Sequence, residues 1–178
     1  MAENKYISTR QLVLMAMMVA AHVVLSRFLS ISLWNLKIGF AFVPVVLTAM
    51  LLGPVAAGVV AALGDVVGAT LFPIGPYFPG FSFTALLVGI CYGLFLYKKP
   101  DGRTYAPFHG KKGIFPAVIL TELGGTVLLN SLWISMLYGV PFLTLLPART
   151  LQALGMGVVE ILVIRVLLNY MPHLQKAV

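Results

Sequence analysis

The chain has 178 residues, of which 60% are hydrophobic and 10% charged, with a mean hydropathy of +1.00 and a formal net charge of +7. That composition excludes an ordinary soluble domain. It selects a membrane protein made of apolar helices, because a hydrocarbon core about 30 Å thick takes about 20 helical residues to cross.

A polar head, MAENKYISTR, precedes an apolar run from Gln11 to Leu25. No polar mature domain follows, so the run reads as a retained span and not as a cleaved export signal, and helix one covers residues 10 to 29. SISLWNLKIGF is an amphipathic connection, polar enough to leave the membrane and apolar enough to fold back over it. FAFVPVVLTAMLLG is helix two, shorter than a full span at about 1.5 Å per residue. Gly53-Pro54 ends it and opens helix three, with proline in a tolerated first-turn position, running to about Phe72. PIGPYFPG is a rigid loop, FSFTALLVGICYGLFLY is helix four, and KKPDGRTYAPFHGKKG is the one long polar connection. IFPAVILTELGGTVLLNSLWISMLYG forms helix five, and after GVPFLTLL helix six runs from about Ala148 to Tyr170. The expected fold is one all-α membrane domain, residues 1–178, a compact bundle of six transmembrane helices.

Cytoplasmic connections are enriched in Lys and Arg. With the N-terminus inside, an even number of spans puts Lys5, Arg10, Lys98, Lys99, Arg103, Lys111, Lys112 and Lys176 on the cytoplasmic side together with both termini. The net charge is then a topology signal and not a nucleic-acid patch. Arg27, Lys37 and Arg149 remain on the outer side. Arg27 and Lys37 can snorkel to the interface or meet a ligand. Arg149 shares a helix face with Gln152, Met156 and Glu160, at spacings of three, seven and eleven. A face so polar looks into the bundle, where ionisable groups mark a ligand or ion path.

Asp65, deep in helix three, needs a partner, and the small neighbours Ala61, Gly64, Gly68 and Ala69 let adjacent helices come close enough to supply one. It reads as either a structural pair or a ligand group. Glu122 and Glu160 read as structural, with Glu160 paired to Arg165. Trp34, Phe72, Tyr77, Phe78, Phe81, Trp133 and Tyr138 fall near the outer helix ends, as an interfacial belt or as pocket walls. Asn130 has no interfacial position and is expected to bond a helix neighbour or a ligand.

No GxxxxGK[ST] loop is present in the sequence, so ATP hydrolysis by that route is excluded. Cys91 stands alone in a helix, and His22, His109 and His173 are far apart without ligand spacing, so no metal site is expected. No nucleophile has a recognisable base beside it. The chain is read as a binding protein and not an enzyme, with no cofactor.

Two long blocks, AALGDVVGATLFPIGPYFPGFSFTALLVGICYGL and NSLWISMLYGVPFLTLLPARTLQ, with Ala16-Met-Met-Val-Ala20 on helix one and a long connection after it, resemble the S components of energy-coupling-factor (ECF) vitamin importers, most closely the folate-specific group. The resemblance covers nearly the whole chain. It implies a multi-pass protein of the bacterial cytoplasmic membrane that captures folate or a related vitamin outside the cell. It also implies association with a transmembrane coupling subunit and two cassette ATPases, with Ala16 and Ala20 on the coupling-subunit face, where small side chains permit close helix approach. For folate, Arg27, Lys37 and Arg149 suit the glutamate carboxylates. Asp65, Asn130 and Gln152 suit the pterin edge, and Trp34, Tyr77, Phe78 and Trp133 suit ring stacking. Two other readings stay open: an S component for another small vitamin or precursor on the same scaffold, and a small proton-coupled transporter using Asp65, Glu122 and Glu160 as a relay.

Overall fold

Glycine and proline punctuate the helices of the computed structural model, which describes residues 8–32, 37–98, 105–108 and 110–175. α1 (Thr9–Arg27) starts where the Ser8 N–H donates to the Gln11 side chain at 3.2 Å, half of a capping box. The connection after it is a two-stranded antiparallel hairpin, β1 (Ser30–Ser32) against β2 (Lys37–Gly39), with Ile31 opposite Ile38. α2 (Phe42–Leu52) stops at Gly53, whose φ of 92° suits glycine, and Pro54 then opens α3 (Pro54–Leu71). α4 (Pro79–Leu96) follows the proline-rich loop.

A 3-10 turn (Gly110–Lys112) leads into α5 (Ile114–Ile119), which runs through a π-helical stretch (Leu120–Leu129) into α6 (Asn130–Tyr138). The expected fifth helix is therefore one rod with a widened middle. Gly139, left-handed at φ 67°, closes it. α7 (Phe142–Gln175) begins six residues before the expected Ala148. Pro147 lies inside its second turn, where the missing N–H forfeits one bond close to the helix start.

Among the described residues, five helical units are long and apolar enough to cross a membrane: Thr9–Arg27, Pro54–Leu71, Pro79–Leu96, Gly110–Tyr138 and Phe142–Tyr170. At 11 residues, α2 is about 16 Å long, roughly half a hydrocarbon core. Leu12, Met17, Val55, Leu143, Leu151 and Leu162 are exposed on the outside of the bundle, as lipid-facing positions should be.

The tightest packing joins α3 to α4. A Cβ at Gly89 would lie 2.5 Å from the Ala57 carbonyl oxygen, and one at Gly93 would collide with the Pro54 backbone. Around this seam sits a dry core of Val46, Ala49 and Met50 from α2, Ala57 from α3, Leu96 from α4, Ala117 from α5 and Ile164 from α7. It fills the end of the bundle away from the hairpin. The hairpin end is left with a cavity.

Candidate ligand-binding site

The cavity measures ≈ 390 Å³ and is walled by residues of α1, α3, α4, the π stretch and α7, with Gly39 of the hairpin and the loop before α4 at its upper end. That volume lies in the range of about 300–1,000 Å³ typical of small-molecule sites. At the upper end the Arg27 guanidinium comes within 4.0 Å of Asp65. The other Asp65 oxygen accepts from Ser82 at 2.7 Å, and Ser82 lies 3.1 Å from the Tyr77 hydroxyl. Gly68 makes room for this: a Cβ there would sit 2.8 Å from Arg27 Nε. Arg27 is thus held in place by an acid that is itself anchored.

Arg149 is in a different situation. It is only 6% exposed, donates from Nη1 to the Thr126 carbonyl at 3.4 Å, and has no partner for Nε. Among the described residues no carboxylate lies within ion-pair distance of it. A buried guanidinium with one long hydrogen bond is poorly compensated, and an anion in the cavity would supply what the protein leaves out.

Phe78 and Phe81 form an aromatic wall, their rings 6.2 Å apart and edge to face. Trp133 stands behind that wall, its centroid 5.7 Å from Phe78 and its indole N–H donating to Thr84 at 2.9 Å. Thr84 in turn lines the cavity. Next to α4, where Gly125 approaches Val88 and Thr84, the π stretch presents Thr121, Glu122 and Thr126 to the cavity. Such a widened helix is uncommon and recurs at functional sites. At the floor, the Tyr92 hydroxyl donates to Glu160 at 2.8 Å and Thr121 Oγ1 lies 3.3 Å from it.

The expected face of Arg149, Gln152, Met156 and Glu160 does line the cavity, and so do Arg27, Asp65, Tyr77, Phe78 and Asn130. Trp34 lies outside the described residues, and of Lys37 the structure describes the backbone, in β2. The pairing of Glu160 with Arg165 is corrected. Five residues turn a helix by about 500°, which puts the two side chains about 140° apart; Glu160 is buried against Tyr92 while Arg165 is exposed. Glu122 and Glu160, read from the sequence as structural groups, both line the cavity, as do Tyr92 and Thr121, which the sequence reading did not single out. The i, i+11 position of Glu160 relative to Arg149 was the available signal. Ala16 and Ala20 lie outside the cavity, on an exposed face of α1 beside Met17.

The profile of the family described as "ECF-type riboflavin transporter, S component" matches residues 6–171. A folate transporter FolT of Clostridium novyi (strain NT) is 34% identical over 153 residues, 86% of this chain and 84% of the relative. A folate transporter FolT of Leuconostoc mesenteroides subsp. mesenteroides is 35% identical over 168 residues, 92% of this chain and 86% of the relative. A crystal structure of FolT bound with folic acid superposes with a TM-score of 0.81 at 34% identity, covering 91% of this chain and 94% of that one. With the family profile and both relatives extending over most of its length, the chain belongs to the family of ECF-type transporter S components.

Proposed function

We propose that this chain is the folate-binding S component of an ECF-type importer, which captures the vitamin at the outer face of the membrane for ATP-driven uptake by partner subunits. The observation that carries this reading is the uncompensated Arg149 in the wall of a cavity flanked by aromatic rings. That cavity lies in a scaffold shared with a FolT that holds folic acid. Folate brings what the site lacks: carboxylates for Arg149 and Arg27, and flat rings for the Phe78 and Tyr77 side of the wall. Asp65, already engaged by Arg27 and Ser82, serves by positioning Arg27. Gln152 and Asn130, on the same walls as Arg149, supply amide groups to the ligand's linker.

The reading further includes six membrane-embedded helices, with α2 as the short one, both termini in the cytoplasm, and the cavity facing outward beneath the hairpin. Ala16 and Ala20 are the contact with the coupling subunit, and the energy comes from cassette ATPases, since the chain carries no nucleotide loop of its own.

The test is calorimetry on the purified full-length protein with folic acid and with riboflavin, the vitamin in the family's description. Tight binding of folic acid with no heat from riboflavin is expected. Binding of riboflavin in preference to folic acid would replace the vitamin while keeping the family. Uptake in proteoliposomes driven by a proton gradient alone would favour the transporter relay instead.

A further inference from the structure

The end of the bundle away from the cavity carries a surface that vitamin binding leaves unused. The segment from Lys98 to Gly113 holds five cations, Lys98, Lys99, Arg103, Lys111 and Lys112, against one acid, Asp101. Its described parts are pinned to the helices. Tyr105 stacks on Tyr97, the residue after α4, with ring centroids 6.2 Å apart and 30° between planes. Tyr97 in turn lies against Gly53, where an added Cβ would sit 3.4 Å from its ring. Gly110, left-handed at φ 60°, then carries the chain into the turn that bears Lys111 and Lys112, and that turn packs against α4, α5 and α7. Lys98, Lys111 and Lys112 are exposed. So are three rings among them, Tyr105 at 49%, Phe108 at 58% and Phe115 at 59%. The described carboxylates, Asp65, Glu122 and Glu160, all line the cavity, so none of them neutralises this face.

Lysines interleaved with exposed rings define the kind of partner that fits. Water satisfies the ammonium groups and not Phe108 or Phe115, hydrocarbon does the reverse, and the headgroup layer of a bilayer satisfies both. Phe115 belongs to the rod Gly110–Tyr138, which is long and apolar enough to cross the membrane, so this face lies where that rod enters the bilayer. We infer that the end of α4, the stretch Tyr105–Phe108 and the turn before α5 form a docking surface for anionic phospholipid headgroups of the inner leaflet. Lys98, Lys111 and Lys112 meet the headgroup phosphates, and Phe108 and Phe115 bed among the upper acyl carbons. Each lysine at such a surface favours an anionic lipid by about fivefold. The choice of leaflet rests on the topology proposed above, whereas the preference for anionic lipid depends neither on that topology nor on the vitamin bound.

The test places the full-length protein in phosphatidylcholine bilayers and compares its association with spin-labelled phosphatidylglycerol and spin-labelled phosphatidylcholine. Wild type is expected to favour phosphatidylglycerol by at least about fivefold at low ionic strength and to lose most of that preference at high salt, where surface charges are screened. The triple variant Lys98→Gln, Lys111→Gln, Lys112→Gln should show a preference of at most about twofold while binding folic acid as wild type does. Arg10→Gln, a cation of the same end outside this face, should leave the preference at the wild-type value. Equal association of the two lipids with wild type overturns the inference, as does a preference that survives high salt unchanged. An Arg10→Gln loss as large as that of the triple variant would reduce the effect to diffuse charge and overturn the docking surface. So would a triple variant that keeps the lipid preference but loses uptake in the assembled transporter, because the lysines would then dock a partner subunit. The comparisons on wild type stand even if the triple variant does not fold, and none of these outcomes touches the folate reading.

Discussion

Arg149 shows how one residue can be costly to the fold and useful to the site. The bundle buries its charge with a single 3.4 Å hydrogen bond to Thr126, so the desolvation cost is carried by the ligand-free protein. A ligand that binds only the folded state stabilises it by mass action, by about 2.7 kcal/mol at a concentration of 100 Kd. Arg149→Met should bind folate at least about 100-fold more weakly, leaving at most about 0.4 kcal/mol at that same concentration. Thermal denaturation should then show most of the folate-induced rise in Tm gone, while the ligand-free variant melts at or above wild type. A variant that keeps the full rise would make Arg149 an interfacial anchor. The face on which Arg149 lies was legible in the sequence because its spacings of three, seven and eleven are local to one helix. The Tyr92–Glu160 contact was not, since its partners stand 68 residues apart and meet only once α4 and α7 are packed. Nor does any one-residue signal distinguish Glu122, a carboxylate on a cavity wall, from the same residue in a structural pair.

Helix ends were legible where a backbone rule fixes them. Gly53-Pro54 separates α2 from α3, and the loop prolines bound α4, because glycine's free φ and proline's missing N–H act locally. The π stretch was hidden, since a shift from i−4 to i−5 bonding leaves the hydrophobic pattern nearly unchanged over ten residues. The close α3–α4 approach has a sharp consequence. Gly→Ala in a helix interior normally stabilises by about 1 kcal/mol, and Gly155→Ala, where an added Cβ meets nothing within 4 Å, should hold or raise Tm. Gly93→Ala should lower it, because the new methyl strikes the Pro54 backbone and overpacking of this kind typically costs about 1–3 kcal/mol. Equal melting of the two variants would mean that α3 and α4 separate freely. On α1, Ala16 and Ala20 are exposed among the described residues. Ala16→Trp or Ala20→Trp should leave the affinity of the isolated protein for folate within about twofold while abolishing uptake by the assembled complex, because a bulky side chain blocks close helix approach. Uptake at the wild-type rate would move the coupling face elsewhere.

At the level of the whole molecule, chain direction separates two ends of opposite character. The start of α1, the end of α4, the turn before α5 and the end of α7 lie at one end, with Arg10, Lys98, Lys111 and Lys112 among them. The end of α1, the hairpin, the end of α3, the loop before α4 and the start of α7 lie at the other, and the upper rim of the cavity is built there. The dry core fills the cationic end and the polar cavity the opposite one, so ligand entry and lysine retention are predicted on opposite sides of the membrane. Two single-cysteine proteins test this in intact cells after Cys91, which is buried, is replaced by Ser. Ile74→Cys lies in the loop beside the cavity and replaces a residue 56% exposed; Lys112→Cys is at the lysine-rich turn. A membrane-impermeant maleimide should label position 74 and spare position 112 until the membrane is permeabilised. Folate should slow labelling at position 74 if the loop closes over the bound vitamin, and leave position 112 unaffected. The reverse labelling pattern would point the cavity at the cytoplasm, and a vitamin-capturing role at the outer face would then be untenable whatever the affinity for folate.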